Sequence, residues 1–207
     1  MPSSASRKLL VATTNSKKLI ELKILLAGLP CDLIGLSDLA CYDDVPENGT
    51  TFAENASLKA LGFANQSGLL TLAEDSGLCC DALNGAPGIY SARFAGPSKS
   101  DLENNKKLLK LLEDVPDEKR GAHFKSAVAI AKPGRVIGIV EGEVHGRVHR
   151  EISGTNGFGY DPVFFYPPFQ ATFGMVSSER KNQVSHRSQA LRKARDVLQA
   201  YLSFGRI

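Results

Sequence analysis

Leu9-Leu10-Val11-Ala12, then Thr13-Thr14-Asn15-Ser16-Lys17-Lys18, then apolar residues at Leu19, Leu22, Leu25, Leu26 and Leu29, is the stretch on which the fold reading turns. Four apolar residues in a row have the form of a buried strand, and the spacing after the polar loop is that of one helix face. The order is strand, polar loop, helix. A second strand is expected over Cys31 to Leu36, followed by a loop carrying Asp43, Asp44 and Glu47. Thr51 and Glu54 have capping-box spacing before Phe52, Ala56, Ala60 and Phe63, so another helix opens there. Leu69 to Ala73 returns as a strand, with Glu74-Asp75-Ser76-Gly77 expected just beyond its end.

Further along, Asn84 to Gly88 is a turn cluster. Ser100 and Glu103 form a second capping pair, opening a helix that Pro116 is expected to stop. Phe124 to Ala131 and Val136 to Val144 flank Lys132-Pro133-Gly134 as an antiparallel hairpin, and the last helix is expected from about Ser188. No repeat or linker divides the chain, so residues 1–207 are read as one domain with a polar tail over 1–7.

The chain has 207 residues, 43% of them hydrophobic and 23% charged, with 25 Lys and Arg against 22 Asp and Glu. These values exclude a disordered, collagenous or disulfide-rich miniprotein class. No apolar run reaches the roughly 18 residues of a membrane span, and the start lacks the apolar core of a secretory signal, so the expected location is the cytosol. The charge surplus of three is too small to indicate a nucleic-acid binder. Cys31, Cys41, Cys79 and Cys80 show no C-x-x-C spacing and are read as reduced thiols. A zinc site would have to recruit His145 and His149, in a stretch that reads as strand or turn, and the clustered His and Cys that tetrahedral sites want are missing.

Four stretches could carry chemistry. At Thr13 to Lys18, hydroxyls, an amide, ammonium groups and helix-start N–H groups suit a phosphate, although the loop taken alone reads better as a plain helix start capped by Asn15 with Lys17 and Lys18 solvated. Glu47, Glu74 and Asp75 are carboxylates that could share a cation with phosphate oxygens, the usual way Mg²⁺ is held. Taken singly, Asp75 is also an ordinary turn residue and Glu47 a solvated charge. Gly157-Phe158-Gly159-Tyr160-Asp161-Pro162 places glycines around an aromatic ring, which suits a flat base or a tight loop with its rings in the core. Lys181-Asn182-Gln183-Val184-Ser185-His186-Arg187 is a dense donor group before the last helix.

Together these residues resemble the inosine triphosphate/xanthosine triphosphate pyrophosphatase family, the house-cleaning enzymes that hydrolyse deaminated purine nucleotides. The resemblance runs from about Leu9 to Leu202. It rests on Ala12 to Lys18, Thr51-Phe52-Ala53-Glu54-Asn55-Ala56 with Lys59, Glu74-Asp75-Ser76-Gly77-Leu78, Gly85 to Arg93, Phe158-Gly159-Tyr160-Asp161-Pro162 and Ser185-His186-Arg187. It implies an α/β fold with a long central mixed sheet, flanking helices and two lobes around a nucleotide cleft, and a homodimer. It implies that Asp75 is the catalytic acid group and a metal ligand, with Glu47 the other acidic ligand of Mg²⁺. Thr13, Thr14, Asn15, Ser16, Lys17, Lys18 and Lys59 map onto triphosphate contacts. Ser76, Phe158, Gly159, Tyr160, Asp161, Lys181, His186 and Arg187 map onto nucleotide and base contacts. Thr14 stands where the family usually has Gly, and Glu74-Asp75 replaces a pair of aspartates.

The implied reaction is attack of water on the α-phosphorus of ITP, dITP or XTP, with release of pyrophosphate. Donors from His186 or Arg187 would match the 6-oxo group of these bases and leave the 6-amino group of adenine unmatched. Two other readings compete with this one. A Maf-like pyrophosphatase acting on pyrimidine triphosphates is disfavoured by Ser185-His186-Arg187. A nonenzymatic nucleotide- or RNA-binding protein using Arg180, Lys181, Arg187, Arg192, Lys193 and Arg195 needs no metal carboxylates.

Overall fold

The computed structural model describes residues 7–204; of the polar tail expected over 1–7, all but Arg7 lies outside the described residues. Strand β1 (Lys8–Val11) buries Leu9, Leu10 and Val11 completely. Helix α1 (Ser16–Leu25) starts where the side chain of Asn15 accepts a hydrogen bond from the Lys18 amide, satisfying one orphan donor of the first turn. After β2 (Asp32–Gly35), helix α2 (Phe52–Ser67) opens on a complete Thr51/Glu54 capping box and closes on Gly68 at φ 72°, a conformation that favours glycine. Then follow β3 (Leu70–Cys80), α3 (Asp101–Leu111), β4 (Gly121–Lys132), β5 (Arg135–Val148), β6 (Phe164–Tyr166), β7 (Ala171–Thr172), α4 (Ser178–Asn182) and α5 (His186–Phe204).

Among the described residues the strands form one seven-stranded sheet in the order β2-β1-β3-β4-β5-β6-β7. β1 is parallel to both β2 and β3, with Leu9 opposite Leu33 and Leu70. β5 with β6, and β6 with β7, are antiparallel. The sheet is therefore mixed, and the class is α/β. No helix among the described residues is long and apolar enough to cross a membrane.

The chain folds as two compact units. The first comprises the chain up to Asp75, Ala127–Glu141 and the residues from Gln189 onward. Its core joins Leu9, Val11, Leu72, Val128 and Ile130 of the sheet to Leu22 of α1, to Leu26 just past its end, and to Leu191, Ala194 and Leu198 of α5. The second comprises Ser76–Ser126 and Gly142–Ser188. There Leu108 and Leu112 at the end of α3 pack with Phe124, Tyr160, Phe164 and Phe173.

Three boundaries differ from expectation, each for a physical reason. β3 does not stop at Ala73 but runs on to Cys80, so Glu74, Asp75 and Ser76 lie inside a strand. Carboxylates end an apolar run without ending a strand when cations meet them on either face. α3 ends at Leu111, short of Pro116, because the chain turns at Leu112, whose amide reaches back to Leu108 and Leu109. α5 begins at His186, so His186 and Arg187 lie in its first turn rather than ahead of it.

Candidate active site

In the first unit, alternation along β3 sends Glu74 and Asp75 to opposite faces of the sheet. Glu74 shares its face with Leu72, which packs against α1. Its almost fully buried carboxylate lies 2.9 Å from the Lys18 ammonium, two residues into that helix. Asp75 meets α2 instead. Asn55 donates to its Oδ2 at 3.2 Å, and Lys59, one helical turn further, lies 3.8 Å from Oδ1. The Lys59 ammonium is also 3.0 Å from Glu47 Oε2 and donates to the Glu74 backbone carbonyl at 3.0 Å. One cation is thus shared by three oxygens from two stretches of chain. Burial raises the Asp75 carboxyl above its ordinary value; Lys59 and Lys18 pull it part of the way back, and Glu47 and Glu74 push it up again.

The loop before α1 is partly self-satisfied. Thr13 Oγ1 accepts from the Asn15 amide at 3.2 Å, and Asn15 Oδ1 from the Lys18 amide at 3.0 Å. The helix-cap reading of Asn15 therefore holds. Thr14, Ser16 and Lys17 are exposed, and the Lys18 ammonium leaves the same loop toward Glu74.

In the second unit, Gly157 and Gly159 take φ of 73° and 62°. Asp161 Oδ2 accepts from the Phe158 amide at 2.9 Å and from Lys181 Nζ at 2.6 Å. A Cβ on Gly157 would lie 2.0 Å from that same oxygen, so glycine is required there on both counts. The ring of Phe158 has two cations beside it, Lys181 Nζ at 5.0 Å and Arg187 Cζ at 5.2 Å from its centroid. Arg187 also donates to the Ser76 hydroxyl at 3.1 Å. His186 is buried with its ring stacked on Phe124, 4.7 Å between centroids. Tyr160 does not offer the stacking face that its position after Gly159 suggested. It lies in the core with its hydroxyl donating to the Ser91 carbonyl at 2.8 Å.

Most expected site residues thus fall into two groups. Thr13 to Lys18, Glu47, Lys59 and Asp75 belong to the first unit, and Ser76, Phe158, Asp161, Lys181, His186 and Arg187 to the second. The model of the Ham1 family matches residues 9–197. The chain belongs to the Ham1 family. A relative from Desulforamulus reducens named dITP/XTP pyrophosphatase is 48% identical over 191 residues, covering 92% of this chain and 95% of its own. Among solved structures, a HAM1 protein from Coxiella burnetii superposes with a TM-score of 0.85 at 40% identity, covering 93% of this chain and 98% of its own. A Mycobacterium abscessus structure, described as a nucleoside-triphosphatase and dITP/XTP pyrophosphatase, gives 0.74 at 44% identity over 90% of this chain and 98% of its own.

Three residues of this Ham1 chain escaped the sequence reading. Asn55 is buried, holds Asp75 with its amide nitrogen and accepts from the Gly49 amide at 2.8 Å. It stands four residues before Lys59 on α2, and that helical spacing is the signal the sequence offers. Asp101 and Asn105 bracket Gly159: Asp101 Oδ2 accepts from its amide at 2.8 Å and Asn105 donates to its carbonyl at 2.9 Å. Nothing local marked them, since both read as polar positions of an amphipathic helix. The donor set around Lys59, carboxylate oxygens from Glu47 and Asp75, fits a hard divalent cation. The flexible Lys59 stem can yield to such an ion.

Proposed function

We propose that this chain hydrolyses deaminated purine nucleoside triphosphates, ITP, dITP and XTP, to the monophosphate and pyrophosphate. The observation that carries the reading is the Lys18, Glu47, Lys59 and Asp75 group, with the relatives' names pointing to the same substrates. Asp75 and Ser76 are consecutive residues of β3.

In this reading Glu47 and Asp75 hold Mg²⁺, which when bound supplies positive charge to the phosphate oxygens. A carboxylate oxygen of Asp75 takes the proton of the attacking water, whose oxygen bonds to the α-phosphorus while the bond from that phosphorus to the α,β-bridging oxygen breaks. Lys18, Lys59 and the Thr13–Lys17 loop steady the charge on departing pyrophosphate, the main demand of phosphoryl transfer. Asn55 orients the Asp75 carboxylate. Phe158 supplies a ring face for the base, and the Arg187 guanidinium a donor for its 6-oxo oxygen. His186, buried against Phe124, supports the start of α5. A homodimer is part of the same reading, and light scattering on the purified chain tests it.

The deciding experiment is a panel of nucleoside triphosphates with Mg²⁺, scored for pyrophosphate against orthophosphate. ITP and XTP are expected to release pyrophosphate, with ATP slower by about 10⁴-fold because its amino group leaves buried donors unmatched. Orthophosphate release, or ATP turned over as fast as ITP, overturns the reading.

A further inference from the structure

The sheet of the second unit carries a side-chain cluster that the proposed reaction does not use. His123 lies on β4, and Glu143 and His145 on the neighbouring β5. Glu143 and His145 are two residues apart and so point to the same side of their strand. One ligand atom from each of the three lies within 4.8 Å of the others. His145 Nε2 is 2.5 Å from Glu143 Oε1, and the two imidazole rings are 5.4 Å apart between centroids. The linear sequence conceals this set, because pairing of β4 with β5 brings His123 to His145, whereas His149 is not part of the cluster.

We propose that His123, Glu143 and His145 form a transition-metal site that takes Zn²⁺ and ties β4 to β5. Zinc sites combine imidazole with carboxylate ligands, and it is the two imidazole nitrogens that favour zinc over magnesium here. Zinc bonds of about 2.0–2.1 Å in a tetrahedron put ligand atoms about 3.3 Å apart. The side chains must close by about 1.5 Å from their widest separation, within the reach of side-chain rotation on a fixed two-strand base. The Glu143–His145 contact is shorter than that spacing, so these two side chains part as the metal enters between them. His123 and Glu143 are half-buried and His145 is exposed, so the three ligands leave a fourth position open to water. Nearby charges act in both directions. Burial raises the thiol of Cys79 on β3, the charge of Glu143 adds to the rise, and Lys125 acts in the opposite sense.

The test uses untagged full-length protein stripped with chelator and then held in saturating Mg²⁺, so that the carboxylates of the first unit are occupied. Zinc is added and followed by calorimetry and thermal unfolding, with Co²⁺ as a spectroscopic substitute. One equivalent is expected to bind, raise the unfolding temperature and give the visible spectrum of a four-coordinate cobalt site. His123→Ala and His145→Ala should each weaken binding by more than the ~10–100-fold that outer-shell partners are worth. Asp75→Asn should leave zinc affinity unchanged. The proposal is overturned by zinc affinity equal to wild type in both histidine variants, by affinity that follows Asp75→Asn, or by no saturable binding below millimolar zinc. Since the readout is metal binding, failure here leaves the nucleotide panel untouched.

Discussion

Lys181 Nζ lies 2.6 Å from Asp161 Oδ2, with side-chain exposures of only 3% and 2%. The pair closes the loop that presents Phe158, since the same carboxylate oxygen takes the Phe158 amide. Removing one partner leaves a buried charge uncompensated, which costs about 3–5 kcal/mol. Lys181→Met and Asp161→Asn are each expected to lower stability by that order in urea unfolding. The double variant should recover part of the loss, because neither charge then remains. Single losses under about 1 kcal/mol would show that solvent reaches the pair.

Asp75 sets function against stability. Its raised carboxyl means that the folded chain holds the proton more tightly than the unfolded chain, whose value is near 3.8. Any stability tied to this proton is present below the unfolded value and is lost as pH rises through the raised folded value. At neutral pH the ionised group therefore burdens the fold. Asp75→Asn, measured in chelator, should unfold at higher urea than wild type at pH 7, with the advantage fading in acid. Turnover should fall by about 10²–10⁴-fold with nucleotide binding largely kept. Near-normal turnover, or a variant less stable at pH 7 with no gain over its acid behaviour, would contradict these roles.

Local chemistry explains which parts of this picture could be read in advance. The Leu9–Ala12 run, the Asn15 cap and the Thr51/Glu54 box each depend on neighbours in sequence, and each formed where expected. The end of β3 was misplaced because the apolar pattern breaks at Glu74, while the partners that keep the strand going, Lys18 and Lys59, lie on separate helices. Phe158 and Tyr160 look alike as aromatics beside glycine, yet one flanks two cations and the other fills the core. That difference is set by α3 and by the Ser91 carbonyl, both remote in the chain. His123 and His145 meet through strand pairing alone.

The thiols should divide by burial. Cys41 is exposed, Cys31 and Cys79 are half-buried with raised thiols, and burial pushes Cys80 up to about 12. Only the thiolate attacks an alkylating reagent. Native protein at pH 8 with iodoacetamide should therefore be modified first at Cys41, read by peptide mass, and at Cys80 only as fast as the chain opens. In denaturant all four should react alike. Early labelling of Cys80 in native protein would mean that its strand opens far more readily than its burial implies.

The bracket on Gly159 yields the sharpest test of how the loop is positioned, granted the proposed activity. Asp101 and Asn105 stand one turn apart on α3 and hold the amide and the carbonyl of the same residue, fixing the segment that carries Phe158. Displacement of about 1 Å in a positioning element can cost 10²-fold in rate. Asp101→Ala and Asn105→Ala should raise KM for ITP and XTP by about 10-fold or more, with kcat changed less, because the base rather than the phosphate loses its place. Polarity separates positioning from bulk. Asp101→Asn keeps an acceptor for the Gly159 amide and should retain most of the affinity. Asn105→Asp turns a donor into an acceptor against the Gly159 carbonyl and should be worse than Asn105→Ala. If Asp101→Asn behaves like Asp101→Ala, or Asn105→Asp does no more harm than Asn105→Ala, hydrogen bonding to Gly159 does not hold the loop, and packing of α3 alone must do so.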